Sequence, residues 1–293
     1  MDPVLMHLCA LEFLGTLVLV LMGDGVCAAC NLNKSKAQGA GWVVIALGWG
    51  LAVMAGVFVA HASGAHLNPA VTIGLACTGG FGTFLANAGV TASLTTSVIG
   101  YIVAQMIGGF LGAVLVWLVY RDHFNITEDK EAVLGTYCTM PAIDNKPANF
   151  FTELVATFIL LLMIIGIGNY ADVANVGAVS AWPITAVIVS LGMSLGGPTG
   201  YAMNPARDLS PRIAHAILPM AHKRDSGWGY SWVPVFGPIC GAIIAAFVGK
   251  AFGLCELSAF ISIISSVLGI IVNLRPRTRS NTISSSFSLS NER

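Results

Sequence analysis

The sequence predicts an all-α membrane protein with six transmembrane helices and two re-entrant half-helices in an inverted repeat. Three observations carry this. Hydrophobic residues fill 56% of the 293 positions and charged residues only 10%, where a soluble domain carries about 25%. The tripeptide Asn-Pro-Ala occurs twice, at Asn68-Pro69-Ala70 and Asn204-Pro205-Ala206. The residues around the two copies also correspond, so the chain reads as one pattern written twice.

A helix needs about 20 apolar residues to cross the hydrocarbon core. Six stretches qualify: 5–22, 41–60, 98–120, 150–168, 176–195 and 232–252. Segments 68–77 and 204–217 are apolar but too short, reaching roughly halfway at about 1.5 Å per residue. Asn is a good N-cap and Pro is favoured at the first helical position. Each tripeptide therefore starts a helix inside the apolar layer. Two such starts present two positive dipole ends, each about half a charge, and these belong beside a transport pathway. The long polar loop 121–148 reads as a surface connection.

The repeat fixes topology. Glu12 and Thr16 open the first span as E-F-L-G-T, and Glu153 and Thr157 open the fourth as E-L-V-A-T. Three spans per half is an odd number, so the second half enters from the opposite face and the half-helices approach each other. Residues 1–254 read as the channel domain, with halves at about 1–121 and 149–254. Residues 255–293 form an atypical extension, apolar at 257–274 and then rich in Arg and Ser. A seventh span, an interfacial helix and a weakly structured extension all fit 257–274. The Ile and Ser mixture and the two-halves plan favour a segment that does not span. No Lys or Arg precedes the first apolar run, which argues for a retained span over a cleaved signal peptide.

Several functions are disfavoured. Formal net charge is zero, so nucleic acid is not a sensible partner. Lys34, Lys36, Arg121, Lys130, Lys146, Lys223 and Arg224 fall on one side and Lys250 with the tail arginines on the other, so charge does not set orientation. Cys27 and Cys30 make a C-x-x-C pair, read as small residues at a helix end, and no second cluster completes a metal site. His61 and His66 are a poor metal pair, and His66 braces its loop. No metal, cofactor or nucleophile–base pair is expected, so the chain does not read as an enzyme. Gly108, Gly109, Gly112, Gly237 and Gly241 suit close helix contacts. Asn125-Ile126-Thr127 is a glycosylation sequon.

The chemistry sits around the tripeptides. Each Asn oxygen can cap its own helix, leaving its NH2 as a donor into the lumen. Upstream lie Gly64, Ala65, His66 and Leu67, and in the second half Thr199, Gly200, Tyr201 and Ala202. Read as extended backbone lining a cavity, they supply a row of carbonyl acceptors. Arg207 is a charge within the membrane and so defaults to function. Glu12 and Glu153 are read as the acids within the spans. They accept backbone N–H groups from the half-helix loops; a proton relay would need a chain of Asp, Glu and His that the spans lack.

The runs S-G-A-H-L-N-P-A-V-T and G-Y-A-M-N-P-A-R-D-L-S-P-R, in that order, resemble the aquaporin family of major intrinsic proteins. Asp208, Arg212 and Pro234-Val235 resemble its glycerol facilitator, or aquaglyceroporin, branch. The likeness covers about 5–254. It implies one pore per subunit, a homotetramer in the lipid bilayer of the cell membrane, and passage of glycerol, other small neutral solutes and water without ions or protons. It also implies a constriction of Trp49, Gly192, Tyr201 and Arg207, with Asp208 in support. There the Arg207 fork donates to adjacent hydroxyls while aromatic faces take the C–H side. Asp208 and Arg212, four apart on a helix, can also simply pair. Water-selective relatives place a His where Gly192 stands, so a mainly water-selective channel is the alternative it disfavours. The chain departs from the pattern with Tyr201 where many glycerol facilitators have Phe. The stretch from Trp49 to Asn68 is also one residue shorter than in some relatives, so the place of Trp49 assumes a deletion near residues 61–62. The ranking of glycerol against urea, other polyols, lactic acid or hydrogen peroxide stays open.

Overall fold

Apolar runs in lipid must satisfy their backbone groups internally, and these do so as helices. The structure, a computed structural model, describes residues 2–168 and 181–255. In chain order the long helices are α1 (Pro3–Asn31), α2 (Trp42–Ala60), α5 (Leu94–Val119), α8 (Lys146–Gly168) and α11 (Val233–Ala251). Among the described residues these five are long and apolar enough to cross a membrane. The shorter apolar helix α9 (Trp182–Leu195) ends the expected fifth span, whose first residues, 176–180, lie outside the described ones. The extension at 257–274 lies outside them too.

The half-helices are α3 (Pro69–Thr78) and α10 (Pro205–Ile217). Asn68 and Asn204 are their N-caps, each followed by Pro in the first turn. Gly79, at φ 88°, ends α3, and the chain bends by 90° into α4 (Gly80–Asn87). At the N-terminus Asp2 caps α1 and also accepts from Thr91, tying the chain start to the loop before α5. The N–H groups of Leu5 and Thr91 hold its carboxyl well below the ordinary carboxylate range.

Two expectations need correction. α1 does not end near Met22 but runs on to Asn31. Its last turns read G-D-G-V-C-A-A-C, small residues that let the helix stay buried against α2. Asp24 is therefore a third acid inside a membrane helix, fully buried. The loop 121–148 is also more than a surface connection. It holds α6 (Arg121–Ile126) and α7 (Lys130–Tyr137). Val133, Leu134 and Tyr137 share one face of α7 at helical spacing, and all three are fully buried against α1 and α10. α7 thus roofs one mouth of the bundle. Asn125 of the sequon is exposed on α6, but the Thr127 hydroxyl is fully buried and accepts the Asn33 N–H at 2.9 Å.

Small residues set the helix spacing. Gly108 and Gly112 of α5 lie against the carbonyls of Phe13 and Leu17 on α1, and Gly241 of α11 against that of Leu154 on α8. Gly237 packs on Glu153, and Gly109 on Ala206 and Ser210. Large apolar side chains such as Phe58, Val103, Ile107, Phe236 and Phe247 face outward, while Glu12, Gln105, Glu153 and Asp208 are fully buried. That is the inside-out polarity of an integral, multi-pass membrane protein. A Cβ at Gly241 would meet the Leu154 carbonyl and come within 2.9 Å of the Phe158 nitrogen. Gly241→Val should therefore cost about 1–3 kcal/mol, read as a lowered Tm in detergent. An unchanged Tm would show that α8 and α11 do not pack through this glycine.

Candidate solute pathway

The loops ahead of the half-helices are held in a backbone that few residues adopt. Gly64, Ala65 and Leu67 have φ of 83°, 47° and 53°, and Gly200, Tyr201 and Met203 have 82°, 40° and 49°. The expected extended backbone is thus replaced by left-handed turns at matching offsets. Each non-glycine residue there costs roughly 1–2 kcal/mol. The return is that consecutive N–H groups turn toward one carboxylate. Glu12 accepts His66 N–H at 2.9 Å and Leu67 N–H at 2.8 Å. Glu153 accepts Ala202 N–H at 2.9 Å and Met203 N–H at 2.8 Å. The hydroxyls of Ser63 and Thr199 complete the two sets, each at 2.7 Å. Gln105 adds a further donor to Glu12 at 2.8 Å. His66 sits at 3.1 Å from the Thr72 hydroxyl and packs edge-on to Phe81, while Tyr101 donates to the Ser63 carbonyl at 2.9 Å.

The half-helices are tied across the centre. Asn68 Oδ1 accepts Ala70 N–H and Asn204 Oδ1 accepts Ala206 N–H, both at 2.9 Å. Asn68 Nδ2 then donates to the Met203 carbonyl at 2.7 Å, and Asn204 Nδ2 to the Leu67 carbonyl at 2.8 Å. One hydrogen of each amide is therefore spent on the opposite loop. A single N–H per Asn is left to donate elsewhere, not the whole NH2.

A cavity of about 270 Å³ runs past these residues, lined by Gly64–Asn68 and 201–204 together with Trp49 and Arg207. Apolar Val53, Val57, Leu160 and Ile188 make its other wall. Thr199 is not on this wall. It is fully buried with its hydroxyl on Glu153, and Met203 lines the cavity instead. Gly200 borders a second space of about 280 Å³, beside α7, together with Tyr201 and Arg207. At the expected constriction Arg207 Cζ lies 4.0 Å from the centroid of the Trp49 ring. One face of Trp49 is thus taken by the guanidinium and not offered to C–H groups. Gly192 stands behind Tyr201, not on the cavity wall: a Cβ there would sit 2.8 Å from Tyr201 Cζ. Its carbonyl accepts Trp42 Nε1–H at 2.8 Å, and Trp42 meets the Tyr201 ring edge-on at 5.7 Å. Reading the sequence alone missed Trp42, because a Trp at the start of a span looks like an interfacial anchor.

Asp208 and Arg212 pair at 2.8 Å, both fully buried. Asp208 also accepts the N–H and hydroxyl of Thr139. Arg212 donates to the carbonyls of Thr139, Ser226 and Gly227. The pair fastens α10 to the chain after α7 and to the loop before α11, away from the cavity. Thr139 had no motif to mark it. Among the described residues no group of His, Cys, Asp and Glu gathers to hold a metal, and the cysteines, Cys27 and Cys30 included, are free thiols.

Two half-helices capped by Asn-Pro-Ala, crossed at the centre of a helical bundle, define a membrane-pore class of fold. Residues 3–249 match the Major intrinsic protein family, and the chain belongs to it. It is 50% identical over 238 residues to the Probable glycerol uptake facilitator protein of Thermotoga maritima, covering 80% of this chain and 94% of that protein. It is 46% identical over 242 residues to the Glycerol uptake facilitator protein of Streptococcus pneumoniae strain R6, covering 82% and 97%. Among solved structures, the aquaglyceroporin from Plasmodium falciparum superposes with a TM-score of 0.70 at 31% identity, covering 84% of this chain and 95% of that one. The architecture is therefore aquaporin-like, six membrane-crossing helices and two re-entrant ones.

The glutamates give a direct test of the loops. A Gln offers one acceptor oxygen where the carboxylate offers two, and turns a donor toward an N–H. Glu153→Gln and Glu12→Gln should each lose roughly 2 kcal/mol or more, seen as a lower Tm and lower yield of folded protein. Normal stability together with a new proton-coupled flux would contradict a purely structural role.

Proposed function

We infer that the protein is a passive channel for glycerol and other small uncharged solutes, that it also passes water, and that it excludes ions and protons. The observation that carries this is the asymmetry of the constriction. Arg207 lies over Trp49 on one side, and Tyr201 occupies the space left by the missing side chain of Gly192 on the other. A polyol has hydroxyls along one edge and C–H groups along the other, and such a site offers each its complement. Below it, the remaining amide hydrogens of Asn68 and Asn204 and the loop carbonyls take the place of water step by step. The positive ends of α3 and α10 disfavour a cation at the centre. The two relatives above carry glycerol uptake in their names, which supports the same substrate class.

Residues 1–254 form the conducting unit in this reading, with halves at about 1–121 and 149–254, and 255–293 are an extension. The unit assembles as a homotetramer in the cell membrane and catalyses no reaction. Gly192→His tests the filter. The imidazole would collide with Tyr201 and push it into the cavity, so glycerol flux should fall by about tenfold or more while single-file water continues. Stopped-flow light scattering on proteoliposomes reads both fluxes. A parent that passes water but no glycerol would establish the water-selective alternative. A mutant that passes glycerol as well as the parent would show that the Gly192–Tyr201 contact does not set the bore.

A further inference from the structure

The expectation that His66 braces its loop accounts for one of its two ring nitrogens. Nδ1 lies 3.1 Å from the Thr72 hydroxyl. His66 is 8% exposed, its ring edge-on to Phe81 at 4.6 Å and tilted against Tyr101 at 5.2 Å between centroids. The other nitrogen, Nε2, has no hydrogen-bond partner among the described residues, yet it is not sealed inside the protein. His66 lines the solute cavity, and a Cβ on Gly64, which lines it too, would stand 3.7 Å from Nε2. A polar nitrogen in that setting costs free energy unless something in the pathway bonds to it. The hydrogens around Thr72 decide which kind of group Nε2 is. The Thr72 hydroxyl has one hydrogen and donates it to the Asn68 carbonyl at 3.1 Å. Its oxygen accepts from Gln105 Nε2–H at 3.0 Å. Gln105 is fixed in that sense because it also donates to the Glu12 carboxylate at 2.8 Å, which can only accept. Thr72 thus has a lone pair to offer His66 and no hydrogen to give it. Nδ1 therefore carries the imidazole hydrogen, and Nε2 is a bare acceptor.

We propose that His66 is a specificity-determining residue of the pathway, whose Nε2 accepts a hydroxyl or amide hydrogen from each solute that passes. Glu12, Gln105 and Thr72 are positioning residues that act through it, because together they fix the tautomer and the tilt of the ring. The acceptor complements its neighbour. Asn68 keeps one amide hydrogen to donate, and two residues earlier His66 offers a side-chain lone pair. A hydroxyl both donates and accepts, so it is met on both counts. A solute with acceptor oxygens alone, such as an ether, leaves Nε2 unpaired. The second half has no equivalent, since Ala202 stands where His66 stands in the first. The inference rests on the channel reading above and deepens it, by adding a side-chain acceptor to a pathway whose other acceptors are loop carbonyls.

Two substitutions separate a pathway role from a loop brace. Asn places its amide near the position of Nδ1, within reach of Thr72, and puts nothing at that of Nε2. Gln reaches the position of Nε2 and gives up Thr72. Stopped-flow light scattering reads glycerol and water fluxes of the parent, His66→Asn and His66→Gln in proteoliposomes of the full chain, per inserted protein. Loss of one hydrogen bond in the pathway should put the glycerol flux of His66→Asn about fivefold below that of His66→Gln. A mere brace gives the opposite order, and that order, or equal fluxes, overturns the proposal. If His66→Asn fails to insert, His66→Leu takes its place as the variant without an acceptor, and a glutamine flux no higher than the leucine flux overturns the proposal. If His66→Gln is the one lost, the parent is the reference, and an asparagine flux equal to the parent's overturns it. A parent that passes water but no glycerol sinks the glycerol reading, and the water fluxes of the same variants then decide the role of Nε2.

Discussion

The structure depends on two buried carboxylates that hold two unfavourable loops. Glu12 and Glu153 each collect two consecutive backbone N–H groups and a hydroxyl. Left-handed residues such as Leu67 and Met203 would otherwise relax toward ordinary backbone. Held as they are, their carbonyls face the opposite half and accept Asn204 and Asn68. The carboxylates therefore act through the loops on the asparagines, and through the asparagines on the meeting of the two half-helices. Each half stabilises the other, and neither set of bonds is complete alone.

The electrostatics follow from the same arrangement. A membrane protein that passes neutral solutes needs donors and acceptors in its pathway but little net charge. Glu12 and Glu153 are kept behind the wall on backbone N–H groups and Asp208 on Arg212, and the dipole ends of α3 and α10 meet at the centre. Arg207 is the charge left beside the cavity, and it lies over the Trp49 ring. That stacking keeps the guanidinium at the wall, where its remaining donors can serve hydroxyl groups without blocking the bore.

Much of this was legible in the sequence because spacing carried it. The two Asn-Pro-Ala copies, and a glutamate ahead of each, appear as a repeat that needs no structure to see. Other features left weaker marks. Asp24 lay just beyond an 18-residue apolar window, and nothing local showed that small residues would carry α1 on to Asn31. The roof helix α7 did leave a signal, since Val133, Leu134 and Tyr137 share a face at helical spacing, but polar neighbours masked it. Positive φ at Ala65, Leu67, Tyr201 and Met203 had no sequence sign at all. Local preference opposes it, and only the carboxylates, brought in from more than 45 residues away, make it stable. Gly192 was marked as a filter residue by resemblance, but its packing against Tyr201, and the part played by Trp42, appear only in three dimensions.

In the proposed function a polyol crossing this pathway sheds its hydration shell and takes up Arg207, the loop carbonyls and the two asparagines in its place. That exchange is the heart of the proposed function, and the temperature dependence of glycerol flux in proteoliposomes tests it most directly. The account predicts a low activation energy, close to that of diffusion in water, and flux that stays linear with glycerol concentration at modest gradients. An activation energy as high as that of protein-free vesicles, or flux that saturates at low concentration, would contradict a passive pathway in which the protein stands in for water.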